Sequence, residues 1–475
     1  MDIAIINSWL ITFQGNNLGI TANGALGIEH GKISFVGSTG DLDYRSADRV
    51  IDATNHVTMP GLVNAHTHTG ITILRGAAQD LPEIEWMNKG IGPFALHMTE
   101  VDIIAGSRLG VLEGLRAGAT TFAEYSSNVA QLVEKVYLPF QARVVATETI
   151  NEVTRNRSHL KPTDLYEFDR SKGEEALRRA DALFQIFSGK DLVDCHYGPQ
   201  ALDMISLDLL GTIQEQAIAK GTKMHVHVAQ GNRERLQIQG RYGQDASTIK
   251  ILKQHDFLND HLLAAHCHDT DENEREIMVR QGVKLVCCPS SIGMIDGIVP
   301  PAGHYLELGG VVGLGSDQAP GPGHHNMFQE MRTVSILTKT LLQNPAALPA
   351  WKALKLGTIG GAKFLGLESK IGSLEVGKQA DVITINLLKP HLSPVIAKPF
   401  HNFIPNLVYS ANGSEVDNVI INGKLVMRDG EFPQIDEDAI MAVANHRAER
   451  LFEAALDDWI KADSKLVKDV RKGQL

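Results

Sequence analysis

Residues 57–70 read VTMPGLVNAHTHTG, and the character of the chain changes across them. Upstream, the pattern is of short strands over 2–7, 9–13 and 32–36, parted by Gly and Asn at 15–17 and 23–24. Downstream, strand patterns alternate with helical ones. Strands are expected over 119–125, 143–149, 192–196, 223–229, 262–267, 284–289 and 311–317. Helices are expected from Thr99, where Asp102 is spaced as in a capping box, from Ser171 with Glu174 similarly spaced, and from Ser206 to Gly221. So many alternations over roughly 300 residues predict a parallel (β/α)₈ barrel rather than several small units. Short strands return at 381–386, 416–421 and 424–427, with a hairpin signal at Asn422-Gly423.

The expected organisation is therefore an α/β protein. A (β/α)₈ TIM barrel over 59–366 is flanked by a small β-sandwich domain built from both chain ends, 1–58 and 367–435. A charged helical tail at 436–475 is expected to serve packing or dimer formation.

The 475 residues, 43% hydrophobic and 21% charged, suit a soluble chain with a large core. A net charge of −11 argues against nucleic-acid or anionic-membrane partners. The apolar N-terminus lacks a basic leader region and alternates like a strand, and no run of about 18 apolar residues exists. Four cysteines without a C-x-x-C pair fit a reducing compartment, so the reading is cytoplasmic.

His66-Thr-His68 follows an apolar segment, and alternate residues of a strand share a face, so two imidazoles aim at one point. Alone this is a weak signal, since a polar strand end explains it equally well. His225-Val-His227 repeats it on another expected strand, where only one His is expected to ligate. His266 and Asp317 end two more strands. Active sites in such barrels lie at the strand C-termini, so four strands bring His or Asp to the catalytic face. Imidazoles with one carboxylate favour zinc, cobalt or iron over magnesium or calcium, with an open position for water.

MPGLVNAHTHTG at 59–70, HVHVA at 225–229, AAHC at 264–267, GLGSD at 313–317 and IGSLEVGKQADV at 371–382 occur together and in order. In this the chain resembles the amidohydrolase superfamily, in the branch of atrazine chlorohydrolase and of the adenosylhomocysteine and guanine deaminases. The resemblance implies one divalent ion, with zinc the first candidate and cobalt or iron the alternatives. It implies His66, His68, His227 and Asp317 as ligands, Asp317 as proton shuttle and His266 as a contact to water or substrate. The expected fourth strand has no Lys, so the bridged two-metal variant is not expected. His196 falls where related deaminases carry a substrate-contacting His.

The chain departs from that pattern at three places. Gln230 stands where the deaminases have Glu. Gln318 to Asn326, with His324 and His325, replaces a Ser-Asn loop with a nearby Asp. Ser291-Ile292 replaces Ser-Asn. His324 replaces the loop Asp and is expected to touch substrate. A carboxamide cannot give a proton to a ring nitrogen, whereas an acyclic carbonyl sends its charge to oxygen. The first expectation is thus a hydrolase of a small neutral urea, carbamate, thiocarbamate or amide, cleaving a non-peptide C–N or C–S bond by attack of metal-bound hydroxide. Gln230 would orient the substrate, and the phenylurea and molinate hydrolases would be the nearest subgroup. The alternative is an aminohydrolase or dechlorinase of a purine, pterin or s-triazine. A homo-oligomer is expected. Trp86, Met87 and Phe94 are candidates for an apolar wall, with core packing as the plainer reading.

Overall fold

The structure, a computed structural model, describes residues 1–153, 160, 161 and 163–474. Eight parallel strands form the barrel: Leu62–Thr67, Ala119–Ser126, Arg143–Ile150, Val193–Pro199, Met224–Val228, Leu262–His266, Lys284–Cys287 and Val312–Leu314. The eighth is joined to the first beyond its own end. The backbone N–H of His68 donates to the carbonyl of Asp317, and that of Asp317 to the carbonyl of His66, both at 3.0 Å. Gly315 makes this approach feasible, because a Cβ there would lie 2.6 Å from the His66 carbonyl oxygen. The barrel's inner layers are small and branched, with Val63, Ala65, Ala123, Val145, Leu263, Ala265 and Val286 all buried.

The remaining strands form a second sheet in the order Lys424–Met427, Val416–Ile421, Val382–Asn386, His56–Pro60, Ile3–Ile11, Ile20–Glu29, Lys32–Ser38, with Arg49–Asp52 added parallel to Ile3–Ile11. This is the β-sandwich domain, and both chain ends contribute to it. Ile3, Ile5 and Leu10 of Ile3–Ile11 and Leu26 and Ile28 of Ile20–Glu29 are buried against Val382 and Ile420. The expected turn is present, with Asn422 at φ 50° and Gly423 at φ 73°. Arg143 of the third barrel strand reaches Asp381 of this domain through Nε at 2.6 Å and Nη2 at 3.1 Å, and both residues are buried.

Several expectations need adjustment. Residues 57–63 are two elements, because Gly61 separates a sheet strand from the first barrel strand. Ile20–Glu29 gave no clear sequence signal. The helix expected from Ser171 is Arg170–Ile186 with Asp169 as its cap, and Glu174 instead pairs with Arg170 at 3.0 Å. By contrast, Thr99 and Asp102 form the expected capping box on Glu100–Arg116. The tail is helical over Glu437–Ala462 and Lys465–Arg471. It packs on the barrel, with Arg447 and Arg450 on Asp102 and with Leu451 and Ala455 beside Phe94. No helix of the described residues is long and apolar enough to cross a membrane. All four cysteines are unpaired.

Candidate metal centre

His66 and His68 project from the first barrel strand and the residue after it, and His227 from the fifth. One ring nitrogen from each of these three lies within 4.8 Å of the others, as do one ring nitrogen each of His66 and His266 and a carboxylate oxygen of Asp317. Three of the chain turns that aim these groups use backbone rare for side-chain-bearing residues. Ala229, His266 and Asp317 all have positive φ, at 48°, 77° and 59°. Such strain concentrates where surrounding structure holds a functional geometry.

The imidazole tautomers decide what this cluster can hold. His68 Nδ1 lies 2.6 Å from the Tyr125 carbonyl oxygen, and His227 Nδ1 lies 2.8 Å from that of Gln200. A carbonyl only accepts, so each Nδ1 carries the proton and each Nε2 a lone pair. Those two Nε2 atoms face each other at 3.4 Å, and Asp317 Oδ1 is also 3.4 Å from His68 Nε2. Acceptors turned on one another repel unless a cation lies between them. A separation of about 3.4 Å is the edge of a tetrahedron with metal–ligand bonds of about 2.1 Å. His66 Nε2 is buried with no hydrogen-bond partner, and neither nitrogen of His266 has one. The donor set thus fits one divalent ion.

The electrostatics agree. Burial, reinforced by the neighbouring imidazoles, holds His66, His225 and His266 well below the usual histidine value and brings His227 to about 3. Neutral imidazoles are the metal-binding form. Burial raises the Asp317 carboxyl, opposed by His68 and by the hydroxyl of Ser291, which donates to Oδ2 at 2.6 Å.

Beside this cluster opens a cavity of about 540 Å³, within the range of small-molecule sites. Trp86, Met87, Ile292 and Ile295 give it apolar walls, while Gln200, Gln230, Asp296 and Gln318 supply polar groups. Phe94 does not line it but packs against Phe452 at a tilt of 38°, with ring centroids 4.5 Å apart.

His66, His68, His227, His266 and Asp317 are brought together, whereas His196 and His324 are not part of the cavity wall. The fourth strand runs three residues further than expected, so its end presents Gln200 and leaves His196 buried inside the barrel. His324 is turned back on its own loop. Its Nδ1 accepts from the Asn326 N–H at 3.2 Å, and its Nε2 faces Glu330 at 3.6 Å. Asp296 was not singled out in the sequence, whereas His225 and Ser291 were named without these contacts. The His-x-His repeat was the available signal for His225.

A family model for amidohydrolases matches residues 57–426. The chain belongs to the amidohydrolase family. This amidohydrolase is 34% identical over 455 residues to a 5'-deoxyadenosine deaminase of Methanosarcina mazei, covering 95% of this chain and 98% of that one. It is also 34% identical over 458 residues to a 5-methylthioadenosine/S-adenosylhomocysteine deaminase of Desulforudis audaxviator, covering 96% and 100%. Among solved structures it resembles an adenosine deaminase from Xanthomonas campestris with bound zinc, with a TM-score of 0.85 and 26% identity over 95% of this chain and 98% of that one. An atrazine chlorohydrolase from Arthrobacter aurescens shares the fold, with a TM-score of 0.84 and 20% identity over 94% and 100%. This amidohydrolase is an enzyme acting on C–N bonds other than peptide bonds.

Proposed function

We propose that this amidohydrolase hydrolytically deaminates a neutral N-heterocycle of the 6-aminopurine nucleoside class. The observation that carries the reading is end-to-end similarity to adenosine-type deaminases, joined to an intact ligand cluster beside a cavity that suits a nucleoside. This moves the alternative drawn from the sequence ahead of urea or carbamate hydrolysis.

His66, His68, His227 and Asp317 would hold one ion, with zinc the first candidate and cobalt or iron the alternatives. The absence of Lys from Val193–Pro199 supports one ion rather than a bridged pair. When bound, such an ion supplies Lewis acidity that brings the pKa of a water toward neutrality. Asp317 takes a proton from the attacking water and gives it to the departing amine. His266, buried and unpartnered on the same rim, steadies the oxygen that adds to the ring. Trp86 and Met87 cover the ring faces and exclude water. Four free thiols support a cytoplasmic setting. Exposed Met441, Val443, Leu456 and Ile460 on the tail support a homo-oligomer.

Gln230 favours a second reading, cleavage of an acyclic urea, carbamate, thiocarbamate or amide, in which no ring nitrogen needs a proton. One panel separates the two. Enzyme loaded with zinc, cobalt or iron is offered adenosine, 5'-deoxyadenosine, 5'-methylthioadenosine and S-adenosylhomocysteine, alongside N-aryl ureas, carbamates and thiocarbamates. Ammonia release from a purine at kcat/KM above about 10⁴ M⁻¹s⁻¹ supports the first reading. Turnover confined to the acyclic compounds replaces it with the second.

A further inference from the structure

Gln230 leaves a ring deaminase without a proton donor at the place where related enzymes keep a carboxyl. Its side-chain oxygen accepts from Arg233 Nη2 at 3.3 Å, which leaves its NH₂ to face a ligand. That group can donate a hydrogen bond but cannot transfer a proton at neutral pH. A second carboxyl lies one residue away in space. Gly231, at φ +110°, brings the chain close to three groups at once. A Cβ built on it would lie 3.4 Å from Asp296 Oδ1, 3.4 Å from Glu83 Oε2 and 3.1 Å from His268 Nε2.

The two carboxyls differ in their partners. Glu83 receives the Arg233 Nε at 3.1 Å and the Arg233 backbone N–H at 3.2 Å. Asp296 has no hydrogen-bond donor among the described side chains, and the nearest basic atom is His268 Nε2, 3.8 Å from its Oδ2. Asp296 also lines the cavity. It follows the helix Pro289–Ile295, whose first turn carries Ser291 on Asp317.

We propose that the Asp296 carboxyl is the proton donor of this enzyme, taking over, directly or across one water, the role that Gln230 cannot perform. The proposal rests on the deaminase reading above. As the water oxygen bonds to the amine-bearing ring carbon, the C=N electron pair moves to the ring nitrogen, which takes the proton of Asp296. Asp317 passes the first water proton to the amine, which departs as ammonia. The remaining O–H proton returns to Asp296 as the new carbonyl forms, so the enzyme is unchanged.

The charges around Asp296 support its protonated form. Burial is the largest influence and raises it. Glu83 and the more distant Asp317 add to this, Arg233 opposes it, and the result is about 7. Two carboxyls that meet in a buried place do not both ionise readily, and Glu83 holds the arginine. A carboxyl kept neutral near pH 7 is suited to general acid catalysis.

The test compares wild type, Asp296→Asn, Gln230→Glu and the double variant Gln230→Glu/Asp296→Asn. The probe is 5'-deoxyadenosine or the fastest purine of the panel. Asp296→Asn should lower kcat by about 100-fold or more with KM within about threefold, at unchanged metal content and Tm. The wild-type kcat should fall on an alkaline limb beginning near pH 7, and the double variant should regain at least about tenfold over Asp296→Asn. If wild type deaminates the purine and Asp296→Asn keeps kcat within about threefold, the proposal fails and the deaminase reading stands. If no purine is deaminated, both fall. If Asp296→Asn loses metal or Tm, the wild-type profile decides, and an active enzyme with no alkaline limb below about pH 9 overturns the proposal.

Discussion

His225 Nε2 lies 2.9 Å from Nδ1 of His66, so the fifth strand orients a histidine of the first. His66 presents a lone pair at Nε2 only when its Nδ1 carries the proton, and His225 is the acceptor that fixes that tautomer. Groups that orient a ligand in this way typically account for 10–100-fold in metal affinity. His225→Leu should therefore weaken zinc binding by about 10–100-fold in a chelator competition, although His225 is not itself a ligand. Unchanged affinity would show that His66 is oriented without it.

Gln200 should take the substrate-holding role that the sequence suggested for His196. Gln200 lines the cavity, whereas His196 is buried, with Nδ1 unpartnered and burial bringing it to about 4. Gln200→Ala should raise KM for the preferred substrate by about 5–50-fold, the worth of about one to two hydrogen bonds. His196→Asn should leave KM within about twofold and act on thermal stability instead. Steady-state kinetics and Tm on both variants check this, and a KM effect confined to His196 would reverse the assignment.

Arg143 and Asp381 form a buried bidentate pair between barrel and β-sandwich, and Asp381 Oδ1 also accepts from the Asn422 N–H at 2.8 Å. Removing one partner leaves a desolvated charge. Asp381→Ala should cost about 3–5 kcal/mol in denaturant unfolding. Replacing both, as Arg143→Met/Asp381→Leu, should cost distinctly less, because neither charge is then stranded. Equal losses in the two variants would indicate that the pair matters only for packing.

His56 and Asp417 join two strands of the β-sandwich at 2.9 Å. Burial alone would lower His56, but the hydrogen bonds to Asp417 and to the Thr54 carbonyl, together with the charges of Asp417 and Asp52, outweigh it and the pKa is raised; burial would raise Asp417, and the hydrogen bonds from His56 and Asn386, together with the charges of His56 and Lys389, hold it down. A raised histidine stabilises the fold fully below its unfolded pKa of about 6.5 and loses that contribution as pH rises through the folded value. The depressed carboxyl contributes above about pH 4 and loses its share as pH falls through its folded pKa. The stability difference between wild type and His56→Gln should thus be largest between about pH 4 and 6.5 and shrink toward pH 8.5. Since the pair is partly exposed, it should stay within about 1 kcal/mol. Urea unfolding at pH 5.5 and 8.5 measures it, and a difference that grows with pH would contradict the assignment.

The ligand cluster was legible because strand ends carry their chemistry in the local pattern. His-x-His twice, then His266 and Asp317 closing apolar runs, need only the barrel rule to converge. His196 reads as the end of the fourth strand because Tyr-Gly-Pro follows it, where Gly and Pro suggest an early stop, while the structure keeps pairing to Pro199. Asp296 had no local signal. It is a lone acid in an otherwise apolar stretch after a short helix, and its importance depends on Gly231 and Glu83, each more than 60 residues away in sequence. Ile20–Glu29 was missed because its Gly24 and Gly27 interrupt the alternation that marks a half-buried strand.

The pairing of His56–Pro60 with Val382–Asn386 also sets an order of assembly during synthesis. The first strands to leave the ribosome belong to a sheet whose central partner is translated more than 300 residues later. At about 5–20 residues per second, that is an interval of tens of seconds with a β-edge unmatched. The barrel strands pair with sequence neighbours, so the barrel can form while the hem of the second sheet is still open. Val382–Asn386 closes that hem, and loss of residues 382–475 would expose the N-terminal edge to other chains.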